Sequence, residues 1–467
     1  MRRQICIGLA AVTALAIGLA PAPASAGQGP TYEIDWDQVD AEVDAVEAAT
    51  GQEALSGEIA GAAWIAQVPD NWNGDLLIYA HGYRGEGTDL TVDAPPVYQW
   101  LTAQGYAWAA SSYRRNSYDP GIGVIDTKNL TRHMQSMLRQ GLDKTYLAGF
   151  SMGGHVTAAA IERYPGTYDG ALPACGVVGD VELFDYFLDY NLGGAAIAGL
   201  PPDFPSPDDE WTTRTVPDIK AALSDDPDGT VGPNPFLSSS WAGGFLQIVT
   251  PTPSPLTAAG ETFKDFVEIG SGGERATFDV AWNYWHGVDA PAGNFFFDLG
   301  EGQGTIANRS GVVSQNSDMS YADEYGPEFA FVDDTVLRQS ASNRVRKSQG
   351  IKPAVLINGT PSVPVLAIHT TGDLFVPIEM EQIYAREVIA NGRGDLLVQR
   401  AIRDVGHCSF TPDELVQSYS DLFEWVETGV RPLGEDLLND MGSPTLGCDF
   451  TTGAGGSGFR GFLAPCP

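Results

Sequence analysis

Gly149-Phe150-Ser151-Met152-Gly153 sets a serine hydroxyl two positions from a glycine on either side. That spacing lets a serine stand at the apex of a tight strand-to-helix turn. A serine there adopts a strained backbone conformation, and only residues without bulky side chains fit the flanking positions. The turn lifts the hydroxyl clear of a sheet and sets it at a helix N-terminus, where the dipole favours developing negative charge. The chemistry such a serine performs is nucleophilic attack on a carbonyl. It requires a base for the hydroxyl proton, an acid to orient that base, and two N–H donors for the oxyanion.

Six histidines are available as the base, and position removes five of them. His155 is tethered one turn into the helix after Ser151, His369 lies inside a strand, His133 is on a surface-type helix, and His286 belongs to a segment outside the sheet. His81 reads as a hydrogen-bonded structural histidine. His407, in Val405-Gly406-His407, follows the last strand on a loop. For the acid, Asp373 in Thr371-Gly372-Asp373 follows the strand Val363 to His369, and a strand-end carboxylate can fix the tautomer of an imidazole. Asp180 is the alternative acid, one strand earlier. The order Ser151, Asp373, His407 is one of three known for this chemistry. The donors are assigned to the N–H of Met152, directly after the nucleophile, and the N–H of Tyr83 in His81-Gly82-Tyr83-Arg84-Gly85.

These residues need elements to hold them. Leu76 to Ala80, Tyr106 to Tyr113, Lys144 to Gly149 and Gly170 to Cys175 read as buried strands. Helices over Val97 to Gln104, Asp126 to Leu142 and Met152 to Tyr164 separate them, after an acidic helix at Asp35 to Ala49 and a strand pair within Gly57 to Val68. The alternation stops near Gly179 and resumes at Val363, with helix Ile378 to Ala390, strand Asp395 to Arg400 and helix Pro412 to Glu427. The expectation is an α/β fold, a mostly parallel sheet with helices on both faces. Residues 27–178 and 362–467 form its core, and residues 179–361 are a cap inserted at the carboxyl edge of the strands, where ligands bind in open sheets. Helical patches occur in the cap at Val181 to Tyr190, Val216 to Leu223 and Phe278 to Trp285.

The first 26 residues have the three regions of a secretory signal peptide: Arg2 and Arg3, an apolar stretch to about Leu19, and Ala24-Ser25-Ala26. Export with cleavage near Ala26 is expected. No later segment approaches the roughly 20 apolar residues of a membrane span. The net charge of −34, on 60 acidic against 26 basic residues, repels nucleic acid and anionic membranes. No phosphate loop, metal-ligand cluster or dinucleotide fingerprint is present, so no cofactor and no metal are expected. Asp225-Asp226-Pro227-Asp228-Gly229 is acidic but lacks the ligand spacing of an EF-hand.

Four cysteines follow the leader: Cys175, Cys408, Cys448 and Cys466. In an oxidising compartment two disulfides are expected, with three pairings open. Cys448 with Cys466 would close a Gly-rich terminal loop, which leaves Cys175 for Cys408.

On His81-Gly82, Gly149 to Gly154, Asp373 and Gly406-His407, the chain resembles the α/β-hydrolase family of serine esterases and lipases over about residues 55–178 and 362–430. The resemblance implies acyl transfer through an acyl-enzyme on Ser151, with His407 as the proton carrier. Cys408, next to His407, looks like the arrangement in feruloyl esterases and tannases, where a disulfide ties the histidine loop to the neighbourhood of the nucleophile. Their cysteine immediately precedes the nucleophile motif, where this chain has Ala148, so Cys175 would act from another direction.

A carboxylic ester, small or polymeric, is the expected substrate. A serine peptidase on the same fold and a non-catalytic secreted binding protein are the competing classes. Aromatics of the cap (Trp211, Phe236, Trp241, Phe245, Trp282, Tyr284, Trp285 and Phe295 to Phe297) either line an acyl pocket or form the cap's own core. Arg114 and Arg115 either bind a substrate carboxylate or are solvated.

Overall fold

Alternate residues of the strands face two separate cores, which is what two covered sheet faces demand. Leu76, Ile78, Ala109 and Leu147 point into one core with Val156 and Ile161, while Leu77, Tyr79, Trp108, Tyr146 and Ala148 point into the other with Val39, Leu101 and Tyr419. The computed structural model describes residues 30–205, 210–224, 256–287, 307–308, 311–346, 355–453 and 459–467. The expected leader, the Asp225 to Gly229 run and the aromatics Phe236, Trp241, Phe245 and Phe295 to Phe297 lie outside the described residues.

The main sheet has eight strands: β1 (Ala54–Ile59), β2 (Ala62–Gln67), β3 (Leu76–Ala80), β4 (Ala107–Ser111), β5 (Thr145–Phe150), β6 (Gly170–Ala174), β7 (Val365–Thr370) and β8 (Leu397–Ile402). Their spatial order is β8-β7-β6-β5-β3-β4-β2-β1. β1 and β2 pair antiparallel, as do β2 and β4, and the remaining neighbours are parallel. The α/β class expected from the alternation is therefore observed.

The helices around the sheet are α1 (Trp36–Thr50), α2 (Tyr98–Ala103), α3 (Pro120–Leu138), α4 (Met152–Arg163), α5 (Glu182–Ile197), α6 (Val216–Leu223), α7 (Ala258–Gly270), α8 (Phe278–Gly287), α9 (Glu379–Ala390) and α10 (Pro412–Thr428). α3 begins six residues before the expected Asp126. Asp119 caps it by accepting from the Ile122 N–H at 3.0 Å, and Pro120 takes the first helical position, where its missing N–H costs nothing. α10 carries a complete capping box from Thr411 and Glu414.

Between β6 and β7 the chain leaves the sheet and forms α5 to α8 and several one-turn helices. Their apolar side chains do not form a separate core. Trp211, Phe263, Phe266, Trp282 and Tyr321 belong to the same buried cluster as Ile78, Leu147 and Val156. Hence Trp211 and Trp282 are core residues, with 0% and 2% of their surface exposed.

Candidate active site

β5 ends at Phe150 and α4 starts at Met152, so Ser151 alone makes the turn. Its backbone sits at φ 59°, ψ −122°, a left-handed conformation that a residue with a side chain adopts only under strain. Two glycines make the turn possible. A Cβ on Gly149 would stand 2.1 Å from the Gly153 carbonyl oxygen, and one on Gly153 would stand 2.0 Å from the carbonyl oxygen of Ala80. The turn is anchored by the Ser151 N–H donating to the Ala174 carbonyl at 3.1 Å.

The structure brings Ser151, His407 and Asp373 together. His407 Nδ1 lies 2.5 Å from Asp373 Oδ2, and His407 Nε2 lies 2.8 Å from Ser151 Oγ. A carboxylate only accepts, so Nδ1 carries the proton and Nε2 is free to accept from the serine hydroxyl. Asp373 is fully buried, and its Oδ1 accepts from the N–H groups of Phe375 (2.9 Å) and Val376 (3.0 Å). Both of its oxygens are thus satisfied as the ionised form requires.

The loop after β3 lies against the serine. A Cβ on Gly82 would approach Phe150 O and Ser151 Cβ to 3.2 Å each, which brings the Gly82-Tyr83 backbone beside the elbow. Among the described residues no acceptor meets the N–H of Tyr83 or that of Met152. The Tyr83 ring points to solvent, with its hydroxyl donating to Glu86 at 3.1 Å.

The remaining candidates are engaged elsewhere. His81 is buried, stacked on Tyr113 at 3.9 Å, with its ring nitrogens 2.6 Å from Gly82 O and 3.0 Å from Ser112 O. Burial and the Arg84 charge hold its pKa well below the ordinary value. His155 receives the Tyr118 hydroxyl at Nδ1 (2.9 Å) and donates from Nε2 to Val355 O (2.6 Å), and burial lowers its pKa to about 4. Asp180 accepts from the backbone N–H groups of Val181 and Ile357. Arg114 is not available to a substrate: it forms a fork with the buried Asp126, whose Oδ1 accepts its Nε at 2.9 Å. Arg115 pairs loosely with Asp119 at 3.5 Å.

Two disulfides form, as expected, and of the three open pairings the structure has the one that closes the terminal loop. Cys175 joins Cys408, tying the end of β6 to the histidine loop, and Cys448 joins Cys466.

Sequence reasoning missed the side chains that hold the two loops. Trp285 on α8 donates one indole N–H shared between Gly372 O and Val405 O, both at 2.9 Å, so it spans the acid loop and the histidine loop. Arg275 donates to Thr371 O at 2.6 Å, and Tyr186 donates to Leu374 O at 3.0 Å. Phe375 meets the His407 ring edge-on at 5.2 Å. Asp404 Oδ1 accepts from the Val405 N–H (2.6 Å) and its Oδ2 from the Ser409 hydroxyl (2.9 Å), bracketing His407. Only the aromatic content of the inserted segment hinted at any of this. The partners of Trp285, Arg275 and Tyr186 lie 87 to 188 residues away along the chain and leave no local pattern.

A mostly parallel sheet with helices on both faces, presenting a strained serine between a strand and a helix, defines an α/β architecture. No family model matches the chain. Over 426 residues it is 23% identical to the o-phthalyl amidase of Xanthobacter agilis, covering 81% of this chain and 88% of that protein. Among solved structures, feruloyl esterase B from Aspergillus oryzae aligns at a TM-score of 0.43 and 14% identity, over 81% of this chain and 82% of its own. The rice cell wall degrading esterase LipA from Xanthomonas oryzae aligns at 0.36 and 12%, over 83% and 95%. The acylaminoacyl peptidase of Pyrococcus horikoshii aligns at 0.38 and 12%, over 82% of this chain and 43% of that one.

Proposed function

We propose that this chain is an exported serine hydrolase that cleaves carboxylic esters through an acyl-enzyme. The observation that carries the reading is the continuous hydrogen-bond chain from Ser151 Oγ to His407 Nε2 at 2.8 Å and from Nδ1 to Asp373 Oδ2 at 2.5 Å. Ser151 attacks the ester carbonyl while His407 takes its proton, and the resulting imidazolium is stabilised by Asp373. The N–H groups of Met152 and Tyr83 receive the oxyanion. His407 then returns the proton to the leaving alcohol, and a water activated by the same imidazole releases the acid. Residues 179–361 act as a cap that supplies the acyl pocket, and the half-buried Tyr284 and Trp285 beside the histidine loop are its first candidates. Export rests on the leader at residues 1–26, and two disulfides support it.

The 23% identity to an o-phthalyl amidase favours a second reading, in which the bond cut is an amide of a carboxylated aromatic acid. The acyl-enzyme chemistry is the same, and the difference lies in protonating an amine as it leaves. Acyl p-nitrophenyl esters assayed beside phthalyl and benzoyl anilides separate the two. The Ser151→Ala variant, folded with an unchanged melting temperature, loses turnover of every substrate by at least about a thousandfold. Undiminished turnover in that variant would overturn both readings.

A further inference from the structure

Close to Asp373 lies a second imidazole besides that of His407. His369 on β7 is completely buried, and its Nε2 stands 3.9 Å from Asp373 Oδ2, the same oxygen that His407 Nδ1 contacts. One carboxylate oxygen therefore has two imidazoles near it. The mechanism above uses only one of them.

The protonation state of His369 follows from its neighbours. Nε2 lies 2.7 Å from the Val376 carbonyl oxygen, which can only accept, so Nε2 carries a hydrogen. Nδ1 lies 3.3 Å from Glu381 Oε1 on α9. Glu381 is itself fully buried, and its Oε2 accepts from Gln399 Nε2 of β8 at 2.6 Å. A buried carboxylate is tolerated when a cation and hydrogen bonds satisfy it, and an ionised Glu381 requires a hydrogen on Nδ1 as well. The other charged groups around this cluster are Asp373 itself and Arg275, which donates to Thr371 O at 2.6 Å and feels the Asp373 charge. The Tyr186 hydroxyl donates to Leu374 O nearby and stays neutral.

We infer that His369 stands as a buried imidazolium between Asp373 and Glu381, a positioning residue whose charge faces the same Asp373 oxygen that His407 uses. This deepens the proposed function and rests on it. The direction of the His369 equilibrium agrees. Burial alone would lower its pKa, but the Glu381 hydrogen bond and charge, with the Asp373 charge, outweigh burial and raise it. A positive charge against the shared oxygen competes with the proton that His407 presents to that oxygen.

Two measurements test the inference, and only one depends on activity. In Ser151→Ala protein with nitrogen-15-labelled histidine, the NMR signals of His369 should show both ring nitrogens protonated at neutral pH. A neutral His369 with only Nε2 protonated overturns the inference while leaving the hydrolase reading intact. In otherwise intact enzyme, His369→Gln keeps a donor toward Val376 and removes the charge. The acid limb of kcat/KM against pH should then move up by roughly half to one unit. Should that variant fail to fold, Glu381→Gln removes the anion that keeps His369 charged, and the same upward shift is expected. A lower rate with an unmoved acid limb in the variant that folds overturns the inference.

Discussion

Arg460 donates from Nε to Asp404 at 2.6 Å, so a residue near the end of the chain grips the loop that carries His407. The same guanidinium donates to Ser409 O at 2.7 Å and forks onto the buried Glu414, which completes the capping box of α10. Asp404 passes this hold to the backbone on either side of His407 through Val405 and Ser409. The Cys448 to Cys466 disulfide closes the segment from which Arg460 projects, and Arg403 holds that segment's end by donating to Ala464 O at 2.7 Å. The terminal loop, poor in core residues of its own, thus gains a structural purpose.

Removing Arg460 leaves two buried carboxylates without their cation. Arg460→Met is expected to cost about 3–5 kcal/mol of stability, as breaking one side of a buried charge network does. Turnover should fall further than the folded fraction accounts for, because the histidine loop loses its brace. Arg460→Lys restores the charge without the fork and should recover only part of each. Denaturant melts alongside kcat per titrated active serine check this, and wild-type values in the Met variant would refute it.

The bridge from Cys175 to Cys408 pins His407 from the other side. Cys175→Ser should lower stability by about 2–5 kcal/mol and reduce turnover through a loosened histidine loop. Reduction of the native enzyme should do the same. If both treatments left activity and melting temperature as they were, the bridge would have no role in positioning the base.

The elbow allows no Cβ at its glycines. Gly153→Ala would place one 2.0 Å from the backbone oxygen of Ala80, an atom in a central strand that cannot yield. A loss of about 3 kcal/mol or more, or failure to fold, is expected. A stable, active Gly153→Ala protein, read by melting temperature and ester turnover, would mean that the turn is differently built.

The serine, histidine and aspartate were legible because each is announced by its neighbours in sequence. Gly149 and Gly153 flank Ser151, Gly406 precedes His407, and a strand of apolar residues ends just before Asp373. That two disulfides form was legible from the number of cysteines, while their pairing stayed open among three because it is set by tertiary proximity. Strand alternation gave the sheet class, though not the early start of α3, where Asp119 and Pro120 form a capping signal that apolar spacing passes over. α7 was overlooked although its buried Gly260, Phe263, Phe266 and Val267 follow helical spacing. Trp285, Arg275, His369 and Arg460 were illegible as contributors to the site, since their roles depend on tertiary contacts. His369 in particular looked like a strand residue and nothing more, and Arg114 looked free only because its partner Asp126 lies on the next helix.

Asp180 gives a pH dependence whose sign can be worked out. It is 7% exposed, and burial raises its pKa from 3.8 to about 8 even though the N–H groups of Val181 and Ile357 pull it down. Between those two values the unfolded chain has lost this proton and the native state keeps it, so the native state binds more protons. Stability from this group is therefore fully present below about pH 4, falls as the pH rises toward 8, and levels off above. Asp180→Asn cannot titrate but keeps an oxygen acceptor. The stability difference between the variant and the native protein should shift by a few kcal/mol, on the order expected for such a displacement, in favour of the variant as the pH goes from 4 to 8. Urea unfolding at intervals across that range measures it. A difference that stays constant with pH would mean that Asp180 is already ionised in the folded protein.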